Sequence, residues 1–259
     1  MPYAESDGVQ VYYEVHGSGP GVLFVHGSGG HHAAWWQQVV PLQSEYTVIT
    51  VDLRGFGNTR WEAEHDARAF PGDIIAVLDA VAAAGGPSRA VLVGQSIGAA
   101  AALRAALRRP DRASGVILAH SLGGLADPEL ASLVRADRAA AEQLPVLDRL
   151  LTPAFRAARP DMAFLFRQLG TFNTAKMADL RNLNSDGPTV AELNAVPFPL
   201  LLLAGEKDSV LSPATVRRAA ELLGNARVEV VPGAPHSMYW ETPALFNDAV
   251  RRFLKEVAG

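Results

Sequence analysis

The stretch that decides the fold runs Ala90-Val91-Leu92-Val93-Gly94-Gln95-Ser96-Ile97-Gly98 and continues as Ala99-Ala100-Ala101-Ala102-Leu103-Arg104. A short apolar run bounded by turn residues reads as a strand buried on both faces. The alanine-rich segment from Ile97 to Arg108 reads as a helix, because alanine gives up no side-chain freedom there. Between strand and helix sits Gly-x-Ser-x-Gly, which leaves no room for a loop. The chain must turn sharply at Ser96, and Gly94 and Gly98 remove side chains that would collide across that turn. The turn lifts the serine above the end of a sheet. The helix N-terminus behind it offers free N–H groups and the positive end of the helix dipole. A hydroxyl in that place suits a nucleophile whose attack creates an oxyanion. The plainer alternative is a serine that caps the helix.

Outward from this stretch the same rhythm repeats. Val22–Val25, Tyr46–Val51, Gly115–Ala119, Phe198–Leu203 and Arg227–Val231 are further runs of strand length. Val9, Val11 and Tyr13 alternate with polar residues after Asp7-Gly8, a hairpin-turn dipeptide. Helical patterns lie at Trp35–Leu42, Asp73–Ala84, Pro213–Leu223 and Pro243–Val257. Alternating strands and helices predict an α/β fold, a mostly parallel central sheet with helices on both faces. From Leu122 to Val196 the rhythm stops, and helical patterns run with Pro and Asp punctuation but no strand. This block is expected to be a helical cap over residues 122–196, inserted into a core made of residues 1–121 and 197–259.

Composition narrows the function. Of 259 residues, 49% are hydrophobic and 19% charged, enough apolar area for a core and unlike a disordered chain. A net charge of −4 gives no electrostatic footprint for nucleic acid, and no basic run is present to hold an anionic membrane. The absence of cysteine excludes disulfides, thiolate metal sites and cysteine nucleophiles. No apolar run reaches membrane-spanning length, and the first eight residues carry neither a basic nor an apolar signal region. A cytoplasmic protein is therefore expected.

A serine nucleophile needs a base, and the base needs an orienting carboxylate. Of seven histidines, His236 stands in Gly233-Ala234-Pro235-His236-Ser237, a loop between the last strand and the last helix. Loops at the carboxyl ends of strands are where α/β folds place chemistry. Asp208 closes Leu203-Ala204-Gly205-Glu206-Lys207-Asp208, again just past a strand, with Glu206 as its rival. His26-Gly27-Ser28-Gly29-Gly30 is a glycine-rich loop after Val22–Val25, and its backbone can approach a reacting carbonyl. The Ser28 and Ile97 N–H groups are the expected oxyanion donors, with His26 bracing the loop.

Ser121 is a second candidate nucleophile, since Ala119-His120-Ser121 also ends a strand. Leu125-Ala126-Asp127-Pro128 does not continue a helix from it, so the dipole argument fails there. Expected pocket residues are Gly27, Gln95, His120, Ser121, Trp35, Phe164, Phe172, Val210 and Met238. Trp36, Phe155 and Phe166 are further aromatics, and plain packing is the alternative for each. His31 and His32 are adjacent rather than at helical ligand spacing, so no metal is expected. No Gly-x-Gly-x-x-Gly opens a helix after the first strand, and no cofactor is expected.

Ser96, Asp208 and His236 in that order, with the glycine-rich loop before them, make the chain resemble the α/β-hydrolase family. Asp52-Leu53-Arg54-Gly55-Phe56-Gly57 and the tail from His236 through Glu241 to Pro243 resemble further family stretches. The resemblance covers nearly the whole chain and is greatest to small capped esterases and enol-lactonases. It implies Ser96 as nucleophile, His236 as base and Asp208 as orienting acid, acting on a small ester or lactone through an acyl-enzyme. Gln95 departs from the commoner His or Asn, and His120-Ser121 is unusual at its strand end. A serine at position 96, where haloalkane dehalogenases and epoxide hydrolases carry Asp, argues against those chemistries. Carbon–carbon bond hydrolysis, perhydrolysis and cofactor-free oxygenation on the same fold stay open. So does a ligand receptor with a slow triad, and so does the choice between monomer and dimer.

Overall fold

A computed structural model describes residues 2–62 and 64–258. Its strands are β1 (Tyr3–Ser6), β2 (Val9–His16), β3 (Gly21–Val25), β4 (Thr47–Val51), β5 (Ala90–Gln95), β6 (Ala113–Ala119), β7 (Leu200–Gly205) and β8 (Ala226–Val231). They form one sheet in the order β1-β2-β4-β3-β5-β6-β7-β8. β1 and β2 run antiparallel to their neighbours, and the remaining pairs are parallel. Asp7 and Gly8 join β1 to β2 with φ of 48° and 78°, the doubly positive turn that matches strand twist. β1 pairs only through this hairpin, and its four residues carry too little pattern to be read from sequence.

Helices α1 (Trp36–Leu42), α2 (Phe70–Ala83) and α3 (Ile97–Arg108) precede β6. Then come α4 (Pro128–Glu142), α5 (Val146–Leu150), α6 (Pro153–Ala158), α7 (Pro160–Leu169) and α8 (Val190–Asn194). Helices α9 (Pro213–Leu222), α10 (Met238–Glu241) and α11 (Pro243–Ala258) complete the chain. α2 begins earlier than the apolar stripe predicts. Asp66 caps a preceding 3-10 turn over Ala67–Ala69, and Pro71 falls in the first turn of the helix, where its missing N–H costs nothing.

Alternate residues of each parallel strand face opposite layers, as period-two geometry requires. Leu23, Val25, Leu92, Val116 and Leu202 pack with α2, α3 and α9. Val22, Phe24, Val91, Val93, Ile117 and Leu203 pack with α1 and α11 on the other face. The turn after β4 is tied to α2 by a buried ion pair. Arg54 donates from Nε to Asp73 Oδ2 at 2.8 Å and from a terminal nitrogen to Oδ1 at 2.5 Å.

The chain between β6 and β7 is helical, and its two ends are zipped together. Ala126 pairs with Thr189 in a parallel bridge, with the Ala126 N–H donating to the Pro188 carbonyl at 2.8 Å. Leu130 of α4 and Leu193 of α8 join the α2–α3–α9 layer, whereas Leu151 and Ala163 join the α1–α11 layer. The insertion therefore straddles the sheet. Its outer helices belong to the core's own packing, because Asp137 of α4 accepts from the Ser212 N–H at 2.9 Å and the Thr215 hydroxyl at 2.8 Å.

Candidate active site

Ser96 sits at the junction of β5 and α3 with φ 54° and ψ −116°, a backbone that L-residues rarely adopt. The turn is possible because its neighbours are glycines. A Cβ on Gly94 would lie 2.4 Å from the Gly98 carbonyl oxygen, and one on Gly98 would lie 2.4 Å from the Val25 carbonyl oxygen. The Ser96 N–H donates to the Ala119 carbonyl at 2.9 Å, bracing the turn against β6. Its side chain makes no hydrogen bond to the helix it opens, so the hydroxyl is not a cap. Ile97 is the first residue of α3, where an N–H has no partner within the helix.

Asp208 lies in the turn after β7 and His236 in the loop after β8. His236 Nδ1 stands 3.0 Å from both carboxylate oxygens of Asp208. Oδ1 also accepts the Val210 N–H at 2.8 Å and the Leu211 N–H at 3.0 Å. Burial would push the Asp208 carboxyl up, but the facing His236 and His120 outweigh it and hold the group well below the usual carboxylate range. Glu206, the rival acid, is exposed and accepts from the Gly233 N–H at 2.8 Å. It shapes the histidine loop from outside.

The glycine-rich loop after β3 is held by His26. Its Nε2 accepts the Leu53 N–H at 3.1 Å, which leaves Nδ1 to donate to the Gly27 carbonyl at 2.8 Å. Burial pushes this imidazole down to about 4, against weaker opposing pulls from Asp52 and the Gly27 carbonyl. A neutral ring is what this pair of bonds requires. Gly27 lies close to the Ser96 turn. A Cβ there would be 2.0 Å from Gln95 Oε1 and 3.4 Å from Ser96 Cβ. Gln95 Nε2 reaches the His236 carbonyl at 3.4 Å, so one buried amide touches both the glycine-rich loop and the histidine loop. Ser28 is half-buried.

The insertion bonds to all three loops. The Arg149 carbonyl accepts from the Ser209 hydroxyl at 3.1 Å, and the Leu150 carbonyl accepts from the Ser237 N–H at 3.1 Å. Asn173 donates to the Gly30 carbonyl at 3.2 Å and accepts the Gly57 N–H at 3.0 Å. Nothing in the spacing of Asn173 marked it in the sequence, since both partners lie far off in the chain.

The residues expected to line a pocket differ in burial. Trp35 and Met238 have no exposed surface and belong to the α1–α11 core, where Trp35 packs on Phe24, Tyr239 and Phe246. A side chain sealed in this way lines no pocket. His120 is likewise buried, and its ring is bonded to Asp208 rather than turned outward. Ser121 Oγ accepts the Gly123 N–H at 3.2 Å within a turn, and no helix starts behind it until Pro128. Phe164 and Phe172 are exposed, and Phe172 stands edge-on to His31 with centroids 6.0 Å apart. Val210 is half-buried, Trp36 is exposed, Phe155 packs against the core, and Phe166 meets Trp240 edge-on at 5.4 Å.

Two clusters place ligand-type atoms within 4.8 Å of one another: His31, His32 and Asp52, and His120, Asp208 and His236. The sequence paired Asp208 with His236, but the joining of His120 to them, and of His31 and His32 to Asp52, comes from the fold. Hydrogen bonds already join their members, His32 Nδ1 to Asp52 at 2.9 Å in the first and both Nδ1 atoms to Asp208 in the second. A cleft of about 480 Å³ runs along α3 past Arg104 and Arg108 to Asp186, and none of Ser96, Asp208 and His236 lines it. Among the described residues no helix is long and apolar enough to cross a membrane.

Residues 22–249 match the alpha/beta hydrolase family. The 2-(acetamidomethylene)succinate hydrolase of Mesorhizobium japonicum is 27% identical over 253 residues, covering 92% of this chain and 89% of its own. The 3-oxoadipate enol-lactonase 2 of Acinetobacter baylyi is 25% identical over 242 residues, covering 91% and 89%. The structure of a thermophilic esterase from Thermogutta terrifontis superposes with a TM-score of 0.81 at 24% identity, covering 98% of this chain and 97% of that one.

Proposed function

The chain belongs to the alpha/beta hydrolase family, and from that premise we propose that it cleaves a small carboxylic ester or lactone through an acyl-enzyme on Ser96. The observation that carries the proposal is the pairing of a strained, uncapped Ser96 turn with a His236–Asp208 bond of 3.0 Å. Named relatives that are hydrolases, one of them an enol-lactonase, support the same reaction class.

In this reading Ser96 Oγ attacks the carbonyl carbon while His236 takes its proton. The negative charge that develops on the carbonyl oxygen is met by the Ser28 and Ile97 N–H groups. Losing one such donor typically costs about 10²–10³ in rate. His236 then gives its proton to the leaving alkoxide. A water, deprotonated by His236, attacks the acyl carbon, and His236 returns that proton to Ser96 Oγ as the acyl–serine bond breaks and the acid leaves. Asp208 fixes the ring tautomer and steadies the imidazolium without itself taking the proton.

The test is intact mass and peptide mapping after treatment with a fluorophosphonate. The expected result is one adduct on the peptide carrying Ser96, absent in Ser96→Ala. An adduct on Ser121, or none on a folded protein, overturns the proposal.

A further inference from the structure

Asp208 serves two histidines. His120, at the end of β6, brings its Nδ1 to 2.9 Å from Asp208 Oδ2, the oxygen that also receives His236 Nδ1 at 3.0 Å. The two rings stand edge-on with centroids 5.4 Å apart. His120 is held there at some cost. Its φ is 57°, in the left-handed region, as is that of Ser96 on the neighbouring strand. Its side chain has no exposed surface, and its Nε2 is buried without a hydrogen-bond partner. Backbone strain, an orphaned nitrogen and a shared carboxylate meet in one residue, and orienting a single base requires none of them.

We propose that His120 is a positioning residue that takes a share of Asp208, so that the carboxylate stabilises a charged His236 ring less than an undivided one would. The proposal rests on the acyl-transfer reading above, in which His236 must be neutral to act as base. The physical argument is a competition for one negative charge. The Asp208 carboxylate favours the His236 imidazolium by direct attraction. An N–H donated to Oδ2 draws on the same charge, so the imidazolium gains less from it. His120 does not join as a second cation. Burial lowers its proton affinity, and the nearby His236 lowers it further against the pull of Asp208. Among the described residues, Asp208 from the turn after β7 and His120 from the end of β6 are ionisable groups that face His236. His120 is not itself the base, because its Nε2 is sealed and touches no hydroxyl.

Two substitutions separate the donor from the backbone. His120→Gly removes the N–H and suits a positive φ. His120→Asn tolerates the same φ and presents an amide N–H near the place of Nδ1. The His236 ring is titrated by NMR in each protein, and the acid limb of kcat/KM is read with p-nitrophenyl butyrate. Both midpoints should rise by about half a unit to one unit in His120→Gly and return toward the native value in His120→Asn. An unchanged midpoint in His120→Gly overturns the proposal.

If His120→Gly fails to fold, the native protein decides. Separate, slowly exchanging Nδ1–H signals are expected from His120 and from His236, and the absence of the His120 signal overturns the proposal. NMR titration reads the cluster whether or not an ester is cleaved. A native protein that takes no fluorophosphonate therefore sinks the acyl-transfer reading separately.

Discussion

Glu241 accepts two hydrogen bonds from Thr152, one from its N–H at 2.8 Å and one from its hydroxyl at 2.5 Å. Thr152 caps α6 of the insertion, and Glu241 ends α10, the helix that follows the His236 loop. A carboxylate just beyond the His236 loop thus holds the start of an insertion helix. Glu241→Ala should lower stability by about 1–2 kcal/mol, the usual cost of stripping a cap and its partner. It should raise KM for small esters several-fold while kcat changes less. Denaturant melts and steady-state kinetics check this, and an unchanged KM would show that the insertion's seating does not shape the site.

The Ser96 turn and the glycine-rich loop give a paired prediction, one glycine from each. In Gly98→Ala the new methyl meets the backbone oxygens of Val25 and His26 at 2.4 and 2.6 Å, so α3 must move away from β3. The expected loss is about 1–3 kcal/mol, with slower fluorophosphonate labelling of Ser96. In Gly29→Ala the methyl meets nothing within 4 Å. Its stability should stay within about 0.5 kcal/mol of native. Thermal melts of both variants make the comparison.

Acid sensitivity follows from His26. Its imidazole is pushed down to about 4 by burial, against an ordinary 6.5. The unfolded chain binds a proton there near 6.5, whereas the folded chain resists until about 4. This group's contribution is therefore fully present above about pH 6.5 and lost as pH falls toward 4, about 3 kcal/mol in all. Urea melts at pH 7 and pH 4.5 measure the slope. His26→Gln should be less stable at pH 7 and should flatten the slope over this window.

The buried Arg54–Asp73 pair predicts an asymmetry. Burial pushes the Asp73 carboxyl up even though Arg54 pulls it down, so its desolvation is only partly compensated. Arg54→Ala strands that carboxylate and should cost about 3–5 kcal/mol. Arg54→Met with Asp73→Leu removes both charges and should recover most of the loss. Equal destabilisation of the two proteins in denaturant melts would contradict this account.

What could be read from the sequence divides by range. Val22–Val25 and Leu200–Leu203 are legible because strands buried on both faces must be continuously apolar. The sharp turn at Ser96 is legible because strand, glycines and helix adjoin. Asp208 and His236 stand out by their places after strands, and the fold brings them to 3.0 Å. The sharing of Asp208 with His120 is not legible. It depends on the lateral order of β5, β6 and β7 and on a left-handed backbone at a histidine, and neither leaves a local mark. The burial of Trp35 and Met238 is not legible for a related reason. Hydrophobicity near an active-site loop is the same signal whether the side chain faces the cleft or, as here, the core.

The bridge between Ala126 and Thr189 makes the intervening segment a closed module hung from two adjacent points. The sheet experiences that module as a short connection from β6 to β7, however long its contour. Its length and sequence can drift, or be replaced by a foreign segment, without dragging the strands out of register. What must be matched is the set of contacts it makes with the core, such as Leu130 in the α2–α3–α9 layer, Leu151 and Ala163 in the α1–α11 layer, and Asp137 with Ser212 and Thr215. A chain built this way can exchange that segment at one socket while the ends of β5, β6 and β7 keep their places.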